Sequence, residues 1–510
     1  MVWSQEVQDV LDLFHLDLVS YVRLITYLSY ICILKDDVLR KISEDIETEL
    51  VIGLEKGTPE ATIAMLPSFV PALPDGSEKG KYIAIDLSGK NLRIMLLTLK
   101  GEHQEPEQIN HNFIVPTTVM KGTGDQASHH SSLFTFIANC LMKFLKEVDL
   151  LEANLPIGFV FSYPCELSSI RSARLLWWTK GFDIQDCLQK DVVRLLEEAL
   201  DLNMLTNAKV KAIMNDTVGQ LAAAAFKYGD ECTIGVVIGY GCNSSYLEET
   251  AKIKKFDAAA HHYRHEKMVV VTEWEEFGAH GKLAHVLTQF DHEIDNASVH
   301  KGKQMYLFAV CSILIFKIFI VPFTFIYPKK MKRKHFKKFL IDKLTGALYL
   351  GDLVRRILAQ LVLDGFLFSG KPCEKLEEAD SFPTKYISEI LGEDEDSFKV
   401  CRRICDEMDV PSHCAYDYEI IREVCHVVSK RSACIVAAAV SALLRHMGQK
   451  KIKIGVGGAL IQFHPTYHVL LEEKLKSLAP EDVKWELVPA DEGSAKGAAM
   501  LAAVVEKMGI

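Results

Sequence analysis

The feature that most constrains the fold of this chain is a strand–turn–strand unit that occurs twice. The runs YIAIDLSGKNLRIMLLTL, with its turn at 86–91, and ECTIGVVIGYGCNSSYLEE, at 231–249, each place a turn rich in Gly, Ser or Asn between two β-rich segments. A third strand, KIKIGVGGAL, ends in a glycine turn at 455–459, and we expect a helix to begin near His464. Helical patterns alternate with these strands and predict an α/β fold; they lie at 36–56, 187–201, 384–392, 420–448 and 494–507.

Composition narrows the class of protein and of partner. The chain has 510 residues, more than one hydrophobic core usually spans, so we expect two domains. Its 58 basic and 68 acidic residues give a net charge of −10, which argues against nucleic acid and anionic membranes as partners. The 13 cysteines are scattered without CxxC pairs, and the first residues do not resemble a signal peptide. We therefore expect a reduced, cytoplasmic (cytosolic) location.

One apolar run does not suit a globular domain. Residues 306–327 are long enough to cross a bilayer, and the basic cluster at 329–338 would mark a cytoplasmic flank. Lys317 and Pro322 interrupt the run, and a crossing would separate motifs that need one compact body. We favour a surface insertion, or sequence absent from the mature product. A membrane span and a membrane-associated loop are the alternatives.

The glycine-rich turns are candidates for phosphate binding. Short side chains let an anion approach backbone N–H groups, and three such turns occur, at 86–91, 239–244 and 455–459. Asp86 stands at a strand end, where it could hold Mg²⁺ through water. On spacing alone, ordinary hairpin turns remain the alternative.

Candidate residues for a hydroxylated substrate occur in separate motifs. In NDTVGQLAAAAF, Asp216 follows an apolar strand and could take a proton from an attacking hydroxyl, although it could equally cap the following helix. Polar side chains that could orient a sugar occur in FSYPCE, WWTKGF and VTEWEEFG, namely Ser162, Thr179, Lys180 and Glu273. Each of these motifs, taken alone, could be a turn.

Taken together, the segments closely resemble the hexokinase family of sugar kinases, of the single-unit, animal type. The resemblance covers nearly all of residues 36–507 outside the insertion at 306–338. It rests on blocks in the family's order, among them LPSFVPALPDGSEKG, IGFVFSYPCELSSIRSARLLWWTKGF, NDTVGQLAAAAF, FDHEIDNASVHKGKQ, YLGDLVRRIL and HPTY followed by EGSAKGAAM. Agreement over so many blocks is far more specific than any single turn.

The resemblance implies a two-lobed, actin-like and RNase H-like α/β fold with mixed sheets and flanking helices. It divides the chain into an N-terminal extension at 1–35, a region at 36–229 that contains the small lobe, and a region at 230–507 that forms most of the large lobe. The second region is interrupted by the insertion at about 306–338. Sugar binding would close the cleft between the lobes.

The resemblance also implies roles for single residues. Asp216 would act as the base toward the 6-hydroxyl, and Asp86 would organise Mg²⁺ through water. Asn296 stands where many members have a sugar-contacting glutamate. The full hexose-binding set is Ser162, Thr179, Lys180, Asn215, Asn243, Glu273 and Asn296. The nucleotide-binding set is Asp86, Ser88, Gly89, Lys90, Asn91, Arg93, Gly239, Tyr240, Gly241, Gly457, Gly458, Ala459 and Ser494.

The chain departs from the family in its phosphate turns. Ser88 and Lys90 replace a glycine and a threonine of DLGGTNFR, and Tyr240 replaces the threonine of GTGxN. The third turn, usually GVDGS, has lost a carboxylate and a hydroxyl at 457–459, and Ala495 replaces a glycine of GSGKGAA. Loss of one oriented transition-state donor costs on the order of 10²–10³ in rate, so several losses could nearly abolish turnover.

Two functions follow from the resemblance. The first is ATP-dependent phosphorylation of a hexose, most simply glucose, at its 6-hydroxyl, the first step of glycolysis, with ATP and Mg²⁺ required. The second is hexose binding with little or no turnover, as in a sensor or regulatory protein. We expect a monomer in either case.

Overall fold

A computed structural model describes residues 34–58, 60–102, 104–122, 132–178, 181–278, 281–297, 340–394, 397–490 and 493–510. The insertion at 306–338 and the N-terminal extension up to residue 33 lie outside the described residues. Thr179 and Lys180 lie outside them as well.

Within the described residues, the strands form two larger sheets and two short pairs. Their bounds are β1 Leu66–Pro67, β2 Lys79–Ser88, β3 Asn91–Lys100, β4 Glu107–Ile114, β5 Lys121–Gly122, β6 Leu155–Phe161, β7 Cys165–Ser169, β8 Ser172–Leu175, β9 Asp183–Ile184, β10 Ala208–Met214, β11 Cys232–Ile238, β12 Cys242–Glu249, β13 Lys267–Val271, β14 Lys451–Gly457 and β15 Lys484–Pro489.

The helices lie between and around these sheets. Their bounds are α1 Asp36–Glu55, α2 Thr117–Met120, α3 Ser132–Glu147, α4 Val192–Leu202, α5 Asp216–Tyr228, α6 Gln289–Ala297, α7 Leu340–Thr345, α8 Ala347–Leu363, α9 Glu374–Glu377, α10 Thr384–Leu391, α11 Lys399–Glu407, α12 Ala415–Met447, α13 Ala459–Phe463, α14 Tyr467–Leu478 and α15 Gly493–Met508.

The two larger sheets repeat one strand order. The first runs β10-β6-β2-β3-β4, and the second runs β15-β14-β11-β12-β13 with β1 added beside β13. In each sheet an antiparallel meander is extended by two strands that run parallel to its first strand. The predicted α/β fold with mixed sheets is confirmed. The strand–turn–strand unit predicted twice forms the hairpins β2–β3 and β11–β12.

Two helices join the sheets. Helix α15 packs on β2 and β6 of the first sheet, helix α5 packs on β11 of the second, and the two helices pack on each other. Both helices are rich in Ala and Gly: α5 reads DTVGQLAAAAFKY, and α15 reads GSAKGAAMLAAVVEKM. The order of layers is therefore first sheet, α15, α5, second sheet.

Glycines bring these layers into backbone contact. A Cβ atom at Gly219 would overlap the Ser494 carbonyl, and one at Gly497 would overlap the Gly219 carbonyl. On the first sheet, a Cβ at Gly158 would overlap the Ala498 carbonyl. Only glycine leaves room for such close approach, so these positions set the spacing of the layers.

Most predicted helices are present, with shifted ends. The pattern at 187–201 forms α4, which begins at Val192 because the Asp191 side chain accepts a hydrogen bond from the Val193 N–H and caps the helix. The helix expected to begin near His464 is α14, which begins at Tyr467. A short helix, α13, starts directly after Gly458, and His464 separates it from α14. His464 is buried and its Nε2 lies 2.9 Å from the Ser429 hydroxyl, which holds the chain between the two helices.

Helix α12 is the centre of the C-terminal half. By length and composition it is the one helix among the described residues that could cross a membrane, but 94% of its apolar window is buried in the protein. It also carries Arg431, which is buried and forms a two-armed ion pair with Asp291 at 2.7 and 2.9 Å. Its apolar character therefore belongs to the protein core.

The first and last described helices each pack on the half of the fold that the other part of the sequence forms. Helix α1 buries Leu39, Ile42 and Ile46 in the same core cluster as α12. Helix α15, at the other end, packs on the first sheet. The domain boundaries at 36–229 and 230–507 stay a prediction, since each half of the fold includes a helix from the other part of the sequence.

Replacing Gly497 by alanine tests the contact between α5 and α15. The added methyl group meets backbone atoms that cannot move aside, so we expect the free energy of unfolding to fall by about 1–3 kcal/mol. Chemical denaturation measures this change. Gly239→Ala is the control, because its Cβ would meet atoms no closer than 3.9 Å. Equal stability of Gly497→Ala and the unmodified protein would contradict the packing described.

Candidate functional site

The first predicted turn connects β2 and β3 and places Asp86 inside the protein. Gly89 has φ of 61°, a backbone conformation that favours glycine, and the hairpin pairs Ser88 with Asn91. Asp86 is only 6% exposed. Its Oδ2 accepts a hydrogen bond of 2.6 Å from the Ser494 hydroxyl at the start of α15. The turn and the C-terminal helix therefore meet at this carboxylate.

The electrostatic setting of Asp86 is unusual for a carboxylate. Burial raises its pKa and the negative charge of Asp216 adds to that rise, while the Ser494 hydrogen bond and Arg93 act in the opposite direction. Its Oδ1 is buried and has no hydrogen-bond partner among the described residues, although the Ser88 hydroxyl lies near enough to favour the charged form. A buried oxygen of this kind fits a cation or its water ligand.

Asn215 and Asp216 lie at the N-terminus of α5, directly after β10. Asn215 is the N-cap, since its Oδ1 accepts hydrogen bonds from the Thr217 N–H at 2.9 Å and from the Thr217 hydroxyl at 2.8 Å. The alternative in which Asp216 caps the helix is therefore wrong. Asp216 is the first helical residue, and its Oδ1 also accepts from the Thr217 N–H at 2.9 Å. This leaves a half-buried carboxylate close to Asp86.

Two predicted sugar residues are coupled to each other. The Asn243 amide donates to Glu273 Oε1 at 2.8 Å, and Asn243 Oδ1 accepts from the Glu273 N–H at 3.1 Å. Glu273 has φ of 51°, in the left-handed region, which is uncommon for a residue with a side chain. The buried Thr272 hydroxyl also donates to Asn243 Oδ1. This network fixes both side chains in one orientation.

The other predicted sugar residues are distributed differently. Ser162, directly after β6, is buried, and its Oγ lies 3.3 Å from the Ser88 Oγ, so it adjoins the first predicted phosphate turn. Asn296 lies near the end of α6 and is exposed. Thr179 and Lys180 are outside the described residues, and their predicted role stays a prediction.

The second turn, predicted at 239–244, spans 239–241 between β11 and β12 and is held by α7 and α8. The Gly239 carbonyl accepts a hydrogen bond of 2.8 Å from the Ala347 N–H, and Asp342 Oδ1 accepts one of 2.7 Å from the Cys242 N–H. A Cβ at Gly241 would overlap the Asp342 carboxylate, so this position requires glycine. Tyr240 points outward and is 66% exposed. Sequence reasoning missed Asp342, which lies just after the insertion and carries no motif of its own.

The third turn lies beside the second. Gly458 has φ of 99°, and a Cβ there would lie 2.6 Å from the carbonyl carbon of Ile238, the residue before the second turn. A Cβ at Gly457 would overlap the amide of Gln220, which projects from α5. Tyr240 and Ala459, where the sequence analysis predicts departures from the family, therefore lie on neighbouring turns.

A cavity opens beside the first turn. Its volume is about 480 Å³, and it is lined by Lys90, Thr117, Thr118, Met120, Lys121 and Gly181. Two lysines and no carboxylate line it among the described residues, so it suits an anionic group. Further along the hairpin, Arg93 donates through Nε to Asn112 Oδ1 at 3.2 Å, and Asn91 is exposed.

Family models described as hexokinase match most of the chain. One covers residues 25–226, and the other covers 233–310 and 330–504. The break in the second match falls within the segment 306–338 that the sequence marked as an insertion. The matches thus extend over both sheets and all three turns.

Known proteins and structures agree with these matches. Hexokinase of Brugia malayi is 38% identical over 93% of this chain and 76% of that protein. Hexokinase-2 of Homo sapiens is 33% identical over 92% of this chain, which spans about half, 47%, of that relative's length. The structure of hexokinase from Schistosoma mansoni complexed with glucose superposes with a TM-score of 0.79 at 30% identity, covering 95% of this chain and 99% of that one. The chain belongs to the hexokinase family.

Proposed function

We propose that this chain transfers the γ-phosphoryl group of ATP to the 6-hydroxyl of a hexose. The observation that carries the proposal is the pair of carboxylates Asp86 and Asp216, which come from a strand end and a helix start. They lie close enough for the charge of Asp216 to act on Asp86. One carboxylate suits proton removal and the other suits a cation, the two needs of phosphoryl transfer to an alcohol.

We propose Asp216 as the base. Its Oδ1 is held by the Thr217 N–H, and its Oδ2 is left to take the proton of the hydroxyl. As the O–H bond breaks, the hydroxyl oxygen forms a bond to the γ-phosphorus, and the bond from that phosphorus to the bridging oxygen breaks, releasing ADP. The proton is thereby carried by Asp216, and the position of the hydroxyl relative to the phosphorus supplies much of the rate.

Asn243 and Glu273 are proposed to hold the hexose. Their mutual hydrogen bonds fix an amide and a carboxylate side by side, and such a pair can bind neighbouring hydroxyl groups. We propose glucose as the hexose, and the glucose complex named for the related Schistosoma mansoni structure supports that choice. As the family resemblance implies, two further residues would contact the hexose: Asn215, next to the proposed base, and Ser162, beside the first turn.

The residues around Asp86 fit a magnesium ion. The buried Oδ1, which has no hydrogen-bond partner among the residues that the structure describes, is a hard oxygen of the type that binds Mg²⁺ or accepts a hydrogen bond from its bound water. When bound, Mg²⁺ neutralises charge on the β- and γ-phosphates. Asp86 would hold the ion through water, and Lys90 and Lys121 would add positive charge from the adjoining cavity.

A second candidate function is hexose binding with little turnover. The observation in its favour is that Tyr240 and Ala459, two departures from the family, lie on neighbouring turns. Two altered turns at one place weaken the same phosphate contacts together. Oligomeric state, cytosolic location and any membrane contact through 306–338 stay predictions, with a cytosolic monomer proposed.

Asp216→Asn tests the proposed base. The amide keeps the hydrogen bond from the Thr217 N–H but cannot take a proton, so we expect kcat to fall by about 10²–10⁴ while hexose affinity changes little. Sugar-dependent ADP release gives kcat, and calorimetry gives hexose affinity.

Asp149→Asn is the matched control, since Asp149 is exposed on the turn after α3. It should leave both quantities unchanged. Hexose binding without turnover in the unmodified protein would support the second candidate and sink the kinase proposal.

Lys90→Met tests the cationic cavity. Loss of a charge-assisted contact should raise KM for ATP by about ten- to a hundredfold without changing KM for the hexose. Lys81→Met, at the other end of β2 and exposed, is the control. A rise in the hexose KM alone would mean that Lys90 contacts the sugar.

Tyr240→Thr restores the family residue in the second turn. Because Tyr240 is 66% exposed, the change should cost little stability, and the new hydroxyl should raise kcat by at least about tenfold. Steady-state kinetics at saturating hexose measures the gain. An unchanged or lower kcat would show that the tyrosine already serves the phosphate site.

A further inference from the structure

Ser494 connects two distant parts of the chain. Its hydroxyl donates to Asp86 Oδ2 at 2.6 Å across a separation of 408 residues. Because the Ser494 hydroxyl donates its proton to this carboxylate, the direct partner of the side chain is Asp86. The chain's resemblance to its family assigned Ser494 to the nucleotide, and this contact indicates another role.

The two carboxylate oxygens of Asp86 differ in their hydrogen bonding. Oδ2 is held by Ser494, and Oδ1 is buried without a hydrogen-bond partner among the described residues. The torsion that turns a carboxylate about its Cβ–Cγ bond is broad, so burial alone does not set the direction of its oxygens. One hydrogen bond to Oδ2 sets the direction of Oδ1 as well.

Ser494 itself is held by close packing. A Cβ at Gly219 of α5 would overlap the Ser494 carbonyl, and a Cβ at Gly493 would overlap the amide oxygen of Gln220 in the same helix. The start of α15 is therefore pressed against α5, the helix that begins at Asp216. The position of the serine hydroxyl is set by the helix that carries the proposed base.

We propose that Ser494 is a positioning residue that orients Asp86 so that Oδ1 faces the site of the hydrated Mg²⁺. Through α5 and α15, it couples the direction of this carboxylate to the position of Asp216. The inference rests on the proposed function for its effect on turnover. Its structural part, the orientation of Asp86 toward the metal, is testable by binding alone.

The test compares nucleotide binding with and without metal. Calorimetry with a non-hydrolysable ATP analogue and saturating glucose measures affinity in the presence of Mg²⁺ and in EDTA. For Ser494→Ala we expect the gain in affinity due to Mg²⁺ to fall by about tenfold or more, because a hydrogen bond to a charged group is lost. Affinity in EDTA and affinity for glucose should stay within about twofold. In turnover, kcat should fall with KM for the hexose unchanged.

Two variants serve as controls. Ser494→Thr keeps the hydroxyl and should restore the metal-dependent gain. Ser441→Ala removes the hydroxyl of a buried serine, which donates to the Leu478 carbonyl at 2.8 Å, and should change none of the affinities. If Ser494→Ala does not fold, Ser494→Cys takes its place, since a thiol is a weak donor of similar size.

The outcomes are distinct. An unchanged metal-dependent gain in Ser494→Ala overturns the positioning role. Equal weakening of binding in Mg²⁺ and in EDTA overturns it too, because Ser494 then contacts the nucleotide directly. Absence of turnover in the unmodified protein would defeat the kinase proposal alone, and the calorimetric comparison would still decide the role of Ser494.

Discussion

The rest of the structure depends on the backbone contact between helices α5 and α15. Gly219 and Gly497 allow the two helices to approach until main-chain atoms meet, and Gly158 allows α15 to approach the first sheet in the same way. Small residues bury less side-chain area, but they let the backbones of the two helices come closer than larger side chains would permit. With the layers this close, residues from separate parts of the chain reach one carboxylate.

The site follows from this geometry. Asp216 is the first residue of α5, and Ser494 is the second residue of α15. Asp86 lies near the end of β2, beside the turn of the hairpin on which α15 packs. The close contact of the two helices brings a candidate base and a candidate metal carboxylate into electrostatic contact. Burying the Asp86 carboxylate is costly unless it is hydrogen-bonded or paired with a cation. A buried carboxylate with a raised pKa beside a second carboxylate is typical of a functional site.

In the three predicted phosphate turns, the glycines that the packing requires lie beside positions where the sequence analysis predicts departures from the family. Gly241 is required by the Asp342 carboxylate, and Gly458 by the backbone before the second turn, so both remain glycine. Tyr240 is free to differ because its side chain points outward. We therefore expect the predicted departures to affect ligand binding by the turns more than the folding of the turns.

Sequence patterns alone determined the α/β class, the repeated hairpin and most helix positions, because periodicity and turn chemistry are local properties. They also identified Asp86 and Asp216 as candidates, but left the helix cap open between two readings of Asp216. Only the tertiary structure assigned that cap to Asn215, placed α1 in the C-terminal core, and joined Ser494 to Asp86. The cap is a local contact between Asn215 and Thr217, but the pattern offered two adjacent side chains that can both cap a helix, and only their orientation decides between them. The other two outcomes depend on contacts between residues far apart in sequence, which no local pattern encodes.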